Sequence, residues 1–180
     1  MSDRPYGLSV NANHNLIIVT CRKIRKIKEF SSRGDLLRDI TLPDNIINLW
    51  YTTQLTSGQF IVCHGNIDDP VHGVSMISED CRQIVRSHGG QPGSDTGQYD
   101  GTVHLAVDNN EFVFVADVNN RRVTLLSPTL NYIRQVASRD QVNWWPGILC
   151  LEVKRRCLYV GENELKDGKF KAGRVVVFRV

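Results

Sequence analysis

The sequence predicts an all-β fold in which a four-stranded antiparallel unit recurs along the chain, and two columns of residues carry that prediction. The most legible unit runs from Val103 to Val136. There, β-rich runs are punctuated by Asp-Asn-Asn, Asp-Val-Asn-Asn and Ser-Pro turns, which is how a meander is written. Its third run, Arg122-Val-Thr-Leu-Leu126, has counterparts in Lys26-Ile-Lys-Glu-Phe30, Gly73-Val-Ser-Met-Ile77 and Arg174-Val-Val-Val-Phe178. By subtraction, Ile27, Val74, Val123 and Val175 are 47, 49 and 52 residues apart. All-β repeats of this length are propeller blades. The second column gives the same register through Leu16-Ile-Ile-Val-Thr-Cys21, Phe60-Ile-Val-Cys63, Phe112-Val-Phe-Val-Ala-Asp117 and Leu158-Tyr-Val-Gly161.

Taken in order, each element fits that plan. The second-strand runs are apolar at consecutive positions, as inner strands buried on both faces require. A parallel α/β sheet would need helices of about 10–15 residues between such runs, and none is written here. Asn11–Asn15, Thr56–Gln59 and Asp108–Glu111 join first to second strands, and Ser31–Asp35, Ser78–Asp80 and Ser127-Pro128 join third to fourth. The fourth strands, Leu36–Ile40, Arg82–Val85 and Tyr132–Val136, are more polar and alternate, as an outermost strand with one edge in water should. Ser87–Gln98 reads as a Gly-rich connection that lacks the strand and helix context of a phosphate loop. Blades are expected at about 5–46, 47–98, 99–143 and 144–180 of a single propeller region. The fourth stops after its third strand at Val180. The strand count therefore predicts an incomplete arc, the C-terminal part of a six-bladed ring, with open edges that invite self-association.

Composition narrows the function classes. The 180 residues are 41% hydrophobic with a formal charge of +3, so the chain is globular and its charge alone does not announce a nucleic-acid binder. Met1–Pro5 lacks a signal-peptide core and no run approaches a membrane span, which predicts a cytoplasmic domain without membrane contact. Cys21, Cys63, Cys150 and Cys157 fall in strand-like runs, where a free thiol packs as a small hydrophobe. No Cys/His spacing suits zinc, and no cofactor is expected.

At Val115-Ala-Asp-Val-Asn-Asn-Arg-Arg-Val123 the sequence resembles an NHL repeat, whose hallmark is a strand ending in Val-Ala-Asp followed by Asn, Arg and a β-branched residue. Leu158-Tyr-Val with Gly173-Arg-Val-Val-Val-Phe178 keeps part of the pattern around an inserted loop, Asn163–Ala172, and Pro5-Tyr-Gly resembles the start of the family's repeat. Cys21 stands where the family has Asp, and blade two departs furthest, with His64 and Gly65 at the turn. The resemblance implies a six-bladed propeller of the kind carried by tripartite-motif and related RING-type ubiquitin ligases, where it recruits proteins or binds single-stranded RNA. No RING, B-box or coiled-coil segment stands in these residues.

In a propeller, the loops between second and third strands share one rim with the loops between blades. Here they gather Arg22, Lys23 and Arg25; Tyr51 and His64; Tyr99; Asn119, Arg121 and Arg122; and Trp144 and Trp145. Cations beside flat rings suit single-stranded nucleic acid, at about 1–3 kcal/mol per stacked base. Blander roles compete with that reading. Trp145, before Pro146-Gly147, reads as a plug between blades, and Arg122 and Arg174, equivalent by repeat, read as scaffold. The run Arg22–Lys28 reads as a solvated face that would also suit an acidic protein. Asn119 and Arg121, which vary between blades, are the better contact candidates. The expected function is thus a non-catalytic surface that recruits a protein partner, with single-stranded RNA as the alternative. A second alternative is a metal-dependent lyase or lactonase, since propellers of that kind resemble this architecture. Its metal candidates are His64, His104, Asp108, Asp117 and Glu162, with His104 placed to reach the channel.

Overall fold

The structure is a computed structural model that describes residues 5–11, 15–66, 68–166 and 169–180. Among the described residues, fifteen strands form four antiparallel sheets, each a meander of consecutive strands. Blade one is β1 (Pro5–Asn11), β2 (Leu16–Cys21), β3 (Lys26–Ser31) and β4 (Leu36–Thr41). Blade two is β5 (Leu49–Gln54), β6 (Phe60–His64), β7 (His72–Ile77) and β8 (Ile84–Gly90). Blade three is β9 (Thr102–Val107), β10 (Val113–Asp117), β11 (Arg122–Leu126) and β12 (Tyr132–Ala137). Blade four has three strands, β13 (Trp145–Glu152), β14 (Cys157–Lys166) and β15 (Lys169–Arg179). The all-β propeller expected from the repeats is what the chain forms.

The blades stand side by side in chain order, with β1, β5, β9 and β13 as their inner strands and three apolar cores between them. Strand alternation explains how one blade feeds two cores. Along β6, Phe60 and Val62 point toward blade one, while Ile61 and Cys63 point toward blade three. Along β10, Val113 and Val115 join the core shared with blade two, and Phe114 and Ala116 the core shared with blade four. Every residue of β6 and of β10 is accordingly buried. The outermost strands β4 and β12 are largely exposed, as their polar sequences require.

Two local expectations change. The fourth strand of blade two is β8, which starts at Ile84 and runs on into the Gly-rich stretch, so Ser87–Gly90 is strand rather than linker. Glycine permits this pairing. A Cβ on Gly89, whose φ is +115°, would lie 2.3 Å from the His72 carbonyl, and one on Gly73 would lie 2.6 Å from that of His88. The segment read as an inserted loop in blade four instead extends the β14–β15 hairpin, with Asn163 opposite Gly173 and Glu164 opposite Ala172. Residues 12–14 of the first predicted turn, and 167–168 of the predicted inserted loop, lie outside the described residues.

Candidate functional site

Cys21, His64, Asp117 and Glu162 hold equivalent places on the four second strands, at the ends of β2, β6 and β10 and within the longer β14, and pair with Lys26, Gly73, Arg122 and Arg174 of the third strands. In blades three and four this position is an ion pair. The buried Asp117 carboxylate accepts from Arg122 Nε at 2.8 Å, from Asn120 Nδ2 at 2.8 Å and from the Asp100 amide at 2.8 Å. Burial pushes that carboxyl above the ordinary carboxylate range, and these three donors pull against the shift. Arg122 spends its remaining donors on the carbonyls of Ser94 and Gln98, tying the linker between blades two and three to the third blade. Glu162 accepts from Arg174 Nε at 2.9 Å and from the Trp144 amide at 3.3 Å. Arg122 and Arg174 are therefore scaffold, as the repeat suggests. Lys26 pairs instead with Asp39 on the neighbouring strand.

Blade two replaces the acid–arginine pair by histidines. His64 Nε2 meets Ser75 Oγ at 3.0 Å, and burial lowers its pKa to about 4. His72 Nδ1 accepts from the Gly101 amide at 2.9 Å, so its Nε2 donates to the Asn66 carbonyl at 2.6 Å. The imidazole bridges blades two and three where blade three uses a carboxylate.

Past these nodes, the starts of the first strands and the turns after the second strands enclose a cleft of about 660 Å³. Every blade contributes to it. Tyr6 and Leu8 come from blade one, Trp50 and Tyr51 from blade two, Val103 and His104 from blade three, and Trp145 and Ile148 from blade four. The amides of Asn66, Asn119 and Asn163 add neutral donors and acceptors. Tyr51 stacks on His104 with ring centroids 3.9 Å apart. Burial raises the Tyr51 pKa to about 12 and lowers that of His104 to about 4, so both are neutral at pH 7.

The predicted rim residues divide on this geometry. Tyr51 and Asn119 line the cleft, and Arg22, which does not line it, lies over the ring of Trp50, which does. Asn119 also donates to Asp100 Oδ1 at 2.9 Å. Lys23 is exposed, Arg25 pairs with Asp44, and Arg121 donates to the Asn143 carbonyl. Trp144 is half-buried, with the Arg174 guanidinium 5.5 Å from its ring. Two placements differ from the rim expectation. Tyr99 is 1% exposed in the core, its hydroxyl 3.2 Å from Thr124 Oγ1, and His64 is buried beneath the surface, so neither presents a ring to a ligand. Trp145, read as a plug, is 41% exposed and lines the cleft. The sequence reading missed Tyr6 and Trp50 there. The signal that could have found them is their shared place as the second residue of a first strand, the position that Val103 occupies in blade three.

The metal candidates do not converge. Asp117 and Glu162 hold arginines, His64 holds Ser75, His104 stacks on Tyr51, and Asp108 accepts amides of its own turn. Among the described residues, no three side chains of His, Cys, Asp or Glu come together in a way that could hold a metal ion.

Fold and site together define a β-propeller region with an aromatic cleft on its inner rim. No family model matches the chain, and no curated protein matches it. Solved structures do. Virginiamycin B lyase from Staphylococcus aureus is 15% identical, with 99% of this chain covering 56% of that chain at a TM-score of 0.65. A streptogramin B lyase is 13% identical, with 99% covering 55% at 0.63. The nidogen/laminin complex is 13% identical, with 97% covering 60% at 0.70. At these identities the likeness is one of fold alone. The chain spans a little over half the length of these structures.

Proposed function

We propose that the chain is a non-catalytic recognition module whose cleft takes a peptide segment of a protein partner. The observation that carries this reading is the cleft wall itself, in which Tyr6, Trp50, Tyr51 and Trp145 surround neutral amides. Concave aromatic surface with a few fixed polar groups is what a peptide or small ligand needs. Among the cleft residues, His104 and Tyr51 have pKa values displaced away from neutrality, which matches them poorly to general acid or base work at pH 7. That argues against the lyase reading for this chain, although two lyases share its fold. The nidogen/laminin complex is a neighbour with a protein partner, which lends the binding reading support.

The peptide is favoured over single-stranded RNA because the rim cations are mostly spent. Arg25, Arg121, Arg122 and Arg174 hold acids or carbonyls of the protein, so few remain to follow a phosphate backbone. The finer reading is an NHL-type propeller of a six-bladed ring that recruits partners within a RING-type ubiquitin-ligase pathway, and it rests on Val115–Val123. A cytoplasmic setting accords with five unpaired cysteines. No helix among the described residues is long and apolar enough to cross a membrane.

The test is selection of displayed peptides on the immobilised chain. Enriched peptides should lose at least about tenfold in affinity to Trp145→Ala, which removes a ring of the size that dominates binding hot spots. Peptides indifferent to that substitution, or no enrichment, would overturn the reading. Labelled single-stranded RNA serves as the counter-probe, and binding that weakens steeply with salt would favour RNA instead.

A further inference from the structure

Two rings of the cleft wall, Tyr6 and Trp50, carry a cation whose hydrogen-bond donors the fold leaves unused among the described residues. Arg22 follows β2, and its guanidinium carbon lies 3.4 Å from the centre of the Trp50 ring and 5.4 Å from that of Tyr6. The two rings meet edge to face, with centroids 4.9 Å apart. Trp50 is fixed in turn by its Nε1, which donates to the Gly65 carbonyl at 2.6 Å. At 3.4 Å the guanidinium must lie flat on the indole. Flat stacking occupies the π face of the group and leaves its N–H donors free around the edge.

Other arginines on this rim spend those donors on carboxylates or carbonyls. Among the described residues, no oxygen accepts a hydrogen bond from Arg22. Asp69, an acid near enough to influence it, is engaged by the Asn48 side chain and the Asn66 amide. Arg22 is half-buried, and that desolvation lowers its pKa. A partly dehydrated guanidinium with unused donors, held rigid by two rings, is a preorganised receptor for an anion.

We propose that Arg22 receives the carboxylate of a peptide whose adjacent large apolar side chain lies in the cleft. The inference rests on the reading of that cleft as a peptide site. One guanidinium with one exposed lysine beside it matches a single carboxylate better than a run of phosphates. The amides of Asn66, Asn119 and Asn163 match the groups of a peptide main chain.

The experiment uses the 180-residue chain and reads its tryptophan fluorescence, because Trp50 and Trp145 line the site. N-acetyl-phenylalanine is compared with N-acetyl-phenylalaninamide, which has the same ring without the charge. N-acetyl-aspartyl-phenylalaninamide is compared with its asparaginyl counterpart, so that a carboxylate at a chain end is distinguished from one on a side chain. In at least one pair the acid should bind about tenfold more tightly or better, the scale of a charge-assisted bond. Arg22→Gln should abolish the difference while the apolar partner of the pair still binds. Arg22→Lys, which keeps the charge and loses the flat stack, should recover only part of it. Equal binding of acid and neutral probe in both pairs overturns the role of Arg22 and leaves the cleft reading standing. If no probe changes the fluorescence, the cleft reading falls and the inference falls with it.

Discussion

At the scale of single residues, burial decides what each polar group in this chain can do. His64 and His104 are the clearest cases, both lowered by desolvation from 6.5 to about 4. An unfolded chain takes up those protons near pH 6.5, whereas the folded chain takes them up near pH 4. Between these values the unfolded state binds more protons, so the stabilising contribution is complete above pH 6.5 and is lost as pH falls. The size is roughly 2 kcal/mol per histidine between pH 6.5 and 5. His104→Phe keeps a ring against Tyr51 and removes one titration, so its loss of stability over that interval should be smaller than that of the parent chain by about one histidine's share. Urea unfolding at the two pH values measures this, and an unchanged slope would show that His104 is not held neutral. The same physics limits what the sequence reveals about the site. The sequence puts Tyr99 among the rim candidates and reads Trp145 as a plug, yet Tyr99 closes a core against Thr124 and Trp145 opens on the cleft. Which way a ring points at or just before a strand depends on the neighbouring blade, and one blade's sequence does not record that.

At the scale of elements, the repeat was legible because each blade uses the same pairing, and the third-strand column lies within a residue or so of β3, β7 and β11. Where the reading slipped, a pairing depended on glycine rather than on side chains. Gly73 and Gly89 let β7 and β8 approach too closely for any Cβ, and composition alone reads that stretch as a linker. The acid–arginine node between second and third strands gives an element-level prediction. Asp117→Ala leaves Arg122, the Asp100 amide and Asn120 without their common acceptor, and breaking a buried pair in this way costs about 3–5 kcal/mol. Glu162→Ala breaks the equivalent pair in blade four, but the Arg174 side chain is 37% exposed against 13% for Arg122, so water can replace more of what is lost. Denaturant midpoints should therefore rank Asp117→Ala well below Glu162→Ala. Equal losses would mean that the node acts locally within each blade and does not depend on its burial.

At the scale of the whole molecule, the two end blades differ from the middle pair in one respect. Blades two and three bury both faces, whereas blade one leaves Leu8 and Val10 each 63% exposed, and blade four leaves Ile148, Val175 and Val177 at 58%, 65% and 51%. These side chains form rows across their sheets. Leu8 is opposite Val19 and Val10 opposite Ile17, while Gly161 pairs with both Ile148 and Val175, and Tyr159 pairs with Val177. Contiguous apolar surface of this kind drives association. Within the chain, each blade always offers one face to the blade before it and the opposite face to the blade after it. If two copies follow the same rule, the free face of blade four meets the free face of blade one, a head-to-tail contact rather than a two-fold one. The 180 residues on their own should then show a mass that rises with concentration in sedimentation. Leu8→Lys with Val10→Lys should suppress the rise, and so should Val175→Lys with Val177→Lys. Mixing the two double variants decides the geometry, because each keeps the face that the other has lost. A one-to-one dimer in the mixture, absent from either variant alone, is the expected outcome. A parent chain that stays monomeric at every concentration would show that these faces do not bind one another.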